Sequence, residues 1–160
     1  WQTSSTSSAD TERLGELLGS HLNGGEVIEL RSDLGGGKTT FVRGLVRGAK
    51  IAGKVSSPSF TLSRIYKNDR LEIHHFDFYR LSEPGILRDQ LAESLSNPKA
   101  VVIVEWPDIV KDVLPDGRLS IEINMVAASP DERQLIFHYP EVMRQIIIQL
   151  ETQYQEVQQC

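Results

Sequence analysis

Residues 32–40 read SDLGGGKTT, a glycine-rich turn that ends in a lysine and two threonines. The apolar residues Val27, Ile28 and Leu30 before it predict a short buried strand, and a predicted helix continues from the turn to about Arg47. A strand, a turn with Gly-Lys-Thr and a helix, in this order, form the context of a P-loop, which binds nucleotide phosphates. The alternative is a glycine-rich turn with an incidental lysine. Because the triplet and its context agree, the stretch favours a P-loop.

The chemistry of phosphate binding explains the residue types of this loop. Glycines let successive backbone N–H groups point inward, and these donors and the helix N-terminus bind phosphate oxygens. Lys38 supplies positive charge to the β- and γ-phosphates, and the Thr39 hydroxyl is placed to ligate Mg²⁺. Ser32 stands where the consensus has its first glycine. Because serine can adopt many tight turns, we expect this substitution to reduce phosphate binding only modestly. The predicted nucleotide-binding residues of the loop are Asp33, Leu34, Gly35, Gly36, Gly37, Lys38, Thr39 and Thr40.

Two acidic residues follow apolar strand patterns. Glu105 ends the apolar run at 101–104, where a central strand beside the loop would place a second metal-binding acid. Asp77 lies between two phenylalanines and points away from the apolar face of its strand. Each acid has a simpler alternative, in which it only faces solvent. The predicted catalytic residues are Lys38, Asp77 and Glu105, and the predicted metal ligands are Thr39, Asp77 and Glu105.

The apolar pattern outside the loop predicts an α/β fold. The continuous run at 101–104 is typical of a central strand that is covered on both faces, and the polar turn at 67–70 indicates a hairpin. Strand–helix–strand units form the predicted core, with antiparallel strands at its edges. The predicted helices are 11–22, the helix to Arg47, 84–95 and a last helix with Pro140 at its first position; the predicted strands are 27–30, 60–66, 71–76, 101–104, 119–124 and 134–139.

Length, charge and cysteine content exclude several classes of protein. The chain has 160 residues, a net charge of −5 and one cysteine, Cys160, which excludes a disulfide framework. No apolar run approaches the ~18 residues of a membrane span, and the negative charge argues against a large nucleic-acid surface. His74 and His75 have no further histidine at ligand spacing. We expect a cytoplasmic protein that does not bind a membrane, with a flexible lead at 1–9 and one domain at 10–160.

Four motifs together resemble the TsaE (YjeE) family of P-loop ATPase subunits in bacterial tRNA threonylcarbamoyladenosine synthesis. They are DLGGGKTTFVRGL at 33–45, SSPSFTL at 56–62, HHFDFYRL at 74–81 and VVIVEWPD at 101–108. The resemblance covers roughly residues 10–138 in the family's order and spacing. Ser32 departs from the family's usual glycine. Ser59 stands where the family usually has threonine and retains the hydroxyl.

The resemblance implies a fold, cofactors and partners. The implied fold is P-loop NTPase-like, with three layers and a mixed sheet that is parallel at its centre and antiparallel at its edges. The implied cofactors are ATP and Mg²⁺. The implied partners are a TsaD-like threonylcarbamoyl transferase, which modifies adenosine 37 of tRNA, and a TsaB-like scaffold, so that tRNA is met only through the complex. ATP hydrolysis would reset the complex between turnovers and would be weak without the partners.

The resemblance also implies roles for single residues. Asp77 would orient the attacking water or contact the metal, and residues 57–61 would form a switch segment ordered by the γ-phosphate. Arg80 would be a charge sensor or a partner contact. Thr11 and Arg133 would lie at the base and ribose side of the nucleotide. For Arg133, a solvated arginine at the start of a strand is an equal alternative.

Three other functions are compatible with a P-loop. A small-molecule kinase needs an arginine-bearing lid over the phosphates, and residues 82–98 hold one arginine, Arg88. A GTPase-like switch commonly carries Asn-Lys-x-Asp on a late strand, whereas residues 67–69 read Lys-Asn-Asp in a predicted turn. A structural subunit with an inactive site is disfavoured by the intact lysine, threonine and acids. The kinase remains the main alternative.

Overall fold

The computed structural model describes residues 1–159; Cys160, which the predicted domain includes, lies outside the described residues. The helices are α1 (Ser8–His21), α2 (Lys38–Gly48), α3 (Gly85–Leu95) and α4 (Arg144–Gln158), with short 3-10 turns at Pro107–Val110 and Glu141–Met143. The strands are β1 (Gln2–Ser5), β2 (Val27–Arg31), β3 (Ser63–Lys67), β4 (Glu72–Asp77), β5 (Ala100–Glu105), β6 (Leu119–Val126) and β7 (Ser129–His138).

All seven strands form one sheet in the order β1-β7-β6-β2-β5-β4-β3. Strands β6, β2, β5 and β4 are parallel, while β7 and β1 at one side and β3 at the other pair antiparallel. The predicted mixed sheet with a parallel centre and antiparallel edges is therefore confirmed, and so is the predicted hairpin, which is β3–β4. The carboxyl ends of β2, β5 and β4 meet at one edge of the sheet, where α/β proteins bind ligands.

The helices cover the two faces of the sheet unequally. On one face, α1, α2 and α4 bury a continuous core that includes Leu18, Phe41 and Tyr154. On the other face, α3 contributes Leu87 and Leu91 to a second cluster over β4 and β5. The three predicted layers are therefore present over β4 and β5. No helix within residues 1–159 has the length and apolar character of a membrane span.

Helices α1 and α2 pack backbone against backbone. A Cβ added at any of four glycines would lie only 1.9–2.2 Å from a carbonyl oxygen of the facing helix; these are Gly15, Gly19, Gly44 and Gly48. Ion pairs of Glu12 with Arg43 and Arg47 flank the contact. Because α1 carries Thr11 and α2 begins at the end of the glycine-rich loop, this packing fixes the loop against the start of α1.

The predicted flexible lead is wrong for residues 2–5, which form β1. The strand pairs antiparallel with β7, with Gln2 opposite Ile136. The Trp1 ring packs against Phe137 at 4.8 Å between centroids, and the Tyr154 hydroxyl donates to the Ser4 carbonyl at 3.0 Å. Polar side chains do not prevent this pairing, because it depends on backbone hydrogen bonds.

Other predicted boundaries also differ from the structure: α1 begins at Ser8, inside the predicted lead, and β7 begins at Ser129. Residues 60–62 are not part of β3, because Leu62 has a φ of 65° and its N–H donates to the Pro58 carbonyl in a turn. Pro140 precedes a 3-10 turn and is not the first residue of α4. In α4, Ile147, Leu150 and Tyr154 are buried and Val157 is exposed, and Val142 in the preceding 3-10 turn is also exposed.

Candidate nucleotide-binding site

The glycine-rich loop connects the carboxyl end of β2 to the first turn of α2. Gly35 and Gly37 have φ values of 76° and 110°, in the left-handed region that favours glycine. Gly37 is also the N-cap of α2 and provides no side-chain cap. The first N–H groups of α2 are therefore uncapped by a side chain and available for an anionic ligand.

Ser32 fits at the position of the usual first glycine. Its hydroxyl donates to the Asp33 carbonyl at 3.1 Å. A Cβ at Gly36 would lie 1.7 Å from the Ser32 hydroxyl oxygen, so the serine occupies the space that a side chain at position 36 would need. The Gly36 N–H donates to the same Asp33 carbonyl at 3.1 Å, which closes the turn.

Lys38 extends across the mouth of the loop. Its Nζ donates to the carbonyls of Ser32 at 3.0 Å and Asp33 at 3.1 Å, and lies 4.9 Å from the centre of the Trp106 ring. Burial lowers the pKa of the Lys38 ammonium, and the negative charges of Glu105, Asp77 and Asp33 partly offset this effect. The predicted phosphate-binding charge therefore lies beside both predicted acids.

Asp77 and Glu105 lie side by side at the carboxyl ends of two parallel strands. They are direct register partners of β4 and β5, and their exposed fractions are 2% and 3%. The alternative that these acids only face solvent is therefore excluded. Asp77 accepts hydrogen bonds from the Ser59 hydroxyl at 2.6 Å and the Tyr79 N–H at 2.9 Å.

One cavity of about 240 Å³ joins the loop to these acids. Thr39 and Thr40 line it from α2, and Ser57 and Ser59 line it from the predicted switch segment. Trp106 forms a wall of the cavity; its φ is 54°, and its ring packs at 4.8 Å from that of Tyr79. The structure thus brings together the predicted phosphate, metal and catalytic residues. The side chains of Asp33 and Leu34 are exposed, and Asp33 contributes its carbonyl to the loop.

A second cavity, of about 100 Å³, lies on the other side of the loop. Thr11 and Arg133 line it together with Gly37 and Thr40. Arg133 Nε donates to the Gly36 carbonyl at 2.9 Å, so the alternative of a solvated arginine without a role at the loop is excluded. The Thr11 hydroxyl is buried and lies 2.6 Å from the Ser5 hydroxyl. Both residues therefore line a cavity next to the glycine-rich loop, and their predicted contact with the base and ribose side of a nucleotide stays a prediction.

Sequence reasoning missed the contact between His75 and Glu105. The fully buried His75 ring lies with its Nε2 2.8 Å from Glu105 Oε1. Metal-ligand spacing between histidines does not reveal such a contact. The available signal was the spacing of two between His75 and Asp77, because alternate residues of a strand share one face.

The donor set fits Mg²⁺ together with a nucleotide. Within residues 1–159, no group of three or more His, Cys, Asp or Glu side chains is arranged to hold a metal. Thr39, Asp77 and Glu105 offer one hydroxyl and two carboxylates. Mg²⁺ is commonly held by one or two carboxylates together with substrate phosphates, so this incomplete set suits a nucleotide-bound metal.

Comparison with known proteins identifies the family. The sequence model described as "Threonylcarbamoyl adenosine biosynthesis protein TsaE" matches residues 5–135. The chain belongs to the TsaE family. The predicted family is thereby confirmed, and with it a P-loop protein of the nucleotide-binding type.

Individual TsaE proteins support this membership. A "tRNA threonylcarbamoyladenosine biosynthesis protein TsaE" of Bacillus subtilis is 33% identical over 137 residues, which cover 86% of this chain and 83% of that protein. The protein of the same name from Treponema pallidum is 36% identical over 123 residues, 77% of this chain and 90% of that protein. The crystal structure of Bacillus subtilis YdiB superposes with a TM-score of 0.78 at 27% identity and covers 96% of this chain and 95% of that one.

Proposed function

We propose that this chain is the ATP-hydrolysing subunit of a tRNA threonylcarbamoyladenosine synthesis complex. Turnover of Mg-ATP would reset a TsaD-like transferase and a TsaB-like scaffold in the cytoplasm, and tRNA would be met only through that complex. The observation that carries the proposal is one cavity that brings Lys38 and Thr39 to the buried pair Asp77 and Glu105 in a TsaE-family chain.

The geometry gives each group a chemical role. The uncapped amides of α2 and the Lys38 ammonium would stabilise negative charge on the γ-phosphoryl group during transfer to water. Thr39 and Glu105 would hold Mg²⁺, which supplies charge neutralisation to the phosphates. Asp77 would accept a hydrogen bond from the attacking water and orient it, or contact the metal.

The proposed switch segment at residues 57–61 contacts Asp77, one of the proposed catalytic residues. The Ser59 hydroxyl donates to Asp77, and the Arg80 guanidinium lies 4.4 Å from the centre of the Phe60 ring. The Phe60 side chain is 84% exposed. A change at Asp77 on hydrolysis would therefore reach an exposed aromatic and arginine surface, where a partner would detect it.

The alternative of a small-molecule kinase has less support. A kinase lid requires an arginine over the phosphates. Arg88, the arginine of residues 82–98, is paired with Asp112 at 2.7 Å. ATP consumption without any phosphorylated metabolite, in a panel of candidate acceptors, would support the ATPase.

The first experiment measures ATP hydrolysis with and without purified TsaB- and TsaD-like partners. We expect low turnover alone, a partner-dependent rise, and loss of turnover and weaker nucleotide binding in Lys38→Ala. Lys99→Ala is the matched control. Lys99 directly precedes β5, at the amino ends of the parallel strands, whereas the site lies at their carboxyl ends. Turnover of Lys38→Ala within a few-fold of wild type would contradict the assignment.

A second experiment tests the reset. Partner affinity is titrated with ATP, with ADP and without nucleotide. We expect ATP to favour the assembled complex, and by linkage the partners must then raise ATP affinity by the same factor. Equal affinity in all three states would remove the reset mechanism and leave the ATPase assignment intact.

A further inference from the structure

The His75 side chain is buried at a place where apolar side chains would pack. It lies on the same face of β4 as Ile73, and its register partner on β5 is Ile103; both isoleucines are fully buried. Its Nδ1 is the one buried side-chain polar atom within residues 1–159 that has no hydrogen-bond partner. Such an unpaired atom lowers the stability of the fold. A histidine at this position is therefore unfavourable unless its other ring nitrogen makes a functional contact.

The other nitrogen contacts Glu105. A carboxylate oxygen only accepts hydrogen bonds, so the 2.8 Å contact requires the hydrogen on His75 Nε2. In the neutral ring, Nδ1 then carries a lone pair, and no hydrogen-bond donor reaches it. Within residues 1–159, this is the sole hydrogen bond to the Glu105 carboxylate, and it engages Oε1. Asp77 differs, because both of its oxygens accept hydrogen bonds.

We propose that His75 is a positioning residue that fixes the Glu105 carboxylate by one oxygen and leaves the other free for the metal. This inference rests on the proposed function of Glu105 as a ligand of nucleotide-bound Mg²⁺. Groups that orient a metal ligand through a hydrogen bond typically contribute 10- to 100-fold in metal affinity or activity. His75 itself touches neither nucleotide nor metal.

The test measures binding of a fluorescent, non-hydrolysable ATP analogue in EDTA and in Mg²⁺. In wild type, Mg²⁺ is expected to tighten binding. His75→Leu should reduce this gain about tenfold and leave the affinity in EDTA within about twofold, because the loop amides and Lys38 remain. His75→Gln should retain most of the gain, because its amide donor replaces Nε2. A gain in His75→Leu equal to that of wild type would overturn the proposal.

His74→Leu is the matched control. His74 is buried in the same strand but on the opposite face, where it contacts Ser94 at 2.7 Å and Glu72 at 2.8 Å. Its loss tests the effect of removing a buried histidine without touching Glu105, so the gain from Mg²⁺ should persist. An equal loss in His74→Leu and His75→Leu would refute a specific role.

The test remains decisive if His75→Leu does not fold. His75→Asn carries its amide one bond short of the Nε2 position, so it should lose the gain that His75→Gln keeps, and equal gains would overturn the proposal. If wild type itself shows no gain from Mg²⁺, both this inference and the metal role of Glu105 fail. If the gain is present but no ATP is hydrolysed with partners, only the proposed function fails.

Discussion

Gly44→Ala is expected to destabilise the protein because it forces α1 and α2 apart. The added Cβ would lie 1.9 Å from the Glu12 carbonyl oxygen, whereas Cβ contacts under 3.0 Å essentially never occur. The two backbones must therefore separate by at least 1.1 Å, the difference between these distances. The atoms that meet Gly44 belong to the backbone, so no side chain can turn away to relieve the contact.

The size of the effect follows from the packing of the two helices. A gap of about 1 Å removes a quarter to a half of the dispersion energy of each contact across it. Overpacking of this kind costs about 1–3 kcal/mol, and alanine returns up to about 1 kcal/mol through its helix propensity. Because backbone atoms are involved, we expect a net loss near 2 kcal/mol in the free energy of unfolding, and a melting temperature about 4–8 °C lower.

Thermal unfolding followed by circular dichroism measures this change. Gly117→Ala is the control, because it adds the same methyl group where nothing lies within 4 Å. It should melt within about 1–2 °C of wild type, as surface substitutions usually do. If Gly44→Ala were as stable as Gly117→Ala, the helices would not be in backbone contact and the reasoning would be refuted.

Three further predictions concern the acids and the terminal elements. Asp77→Ala and Glu105→Ala should still bind a fluorescent ATP analogue, because the loop amides remain, while the rate of ATP turnover drops by about 10²-fold or more. Loss of analogue binding in Asp77→Ala would instead show that Asp77 is a structural part of the pocket. Burial acts to raise the pKa of Glu29, but hydrogen bonds from Arg118 and Arg31 outweigh it and hold the pKa below 4.5. In urea unfolding, the free energy by which wild type is more stable than Glu29→Gln should therefore be fully present above about pH 4.5 and should shrink as the pH falls through the lowered pKa. A stability difference that stays constant from pH 7 to pH 3 would contradict this. Tyr154→Phe removes the hydrogen bond to the Ser4 carbonyl and should cost about 1 kcal/mol, with faster amide exchange in β1; unchanged exchange would show that the bond does not hold the strand.

Apolar periodicity predicted the centre of the sheet, because β5 and β2 are buried on both faces and contain runs of aliphatic residues. It missed β1, since a strand at the edge that pairs through its backbone needs no apolar pattern. The loop motif predicted, from local sequence alone, that Lys38 and Thr39 lie where the glycine-rich loop meets α2. The contact of His75 with Glu105 depends on the register between β4 and β5, which no local pattern specifies. The close approach of α1 and α2 likewise appeared in the sequence only as glycines within helices.

The place of β1 beside β7 has a consequence for synthesis on the ribosome. Residues 2–5 are translated before every other strand of the sheet, yet their partners, residues 133–136, belong to its last strand, β7. Arg133, which contacts the loop through the Gly36 carbonyl, is also translated late. Since loop closure over such a separation must precede the pairing, the nascent chain holds its first strand unpaired until most of the domain has emerged. The second cavity, which Thr11 and Arg133 line, is therefore completed only late in translation, after the glycine-rich loop and both acids have already left the ribosome.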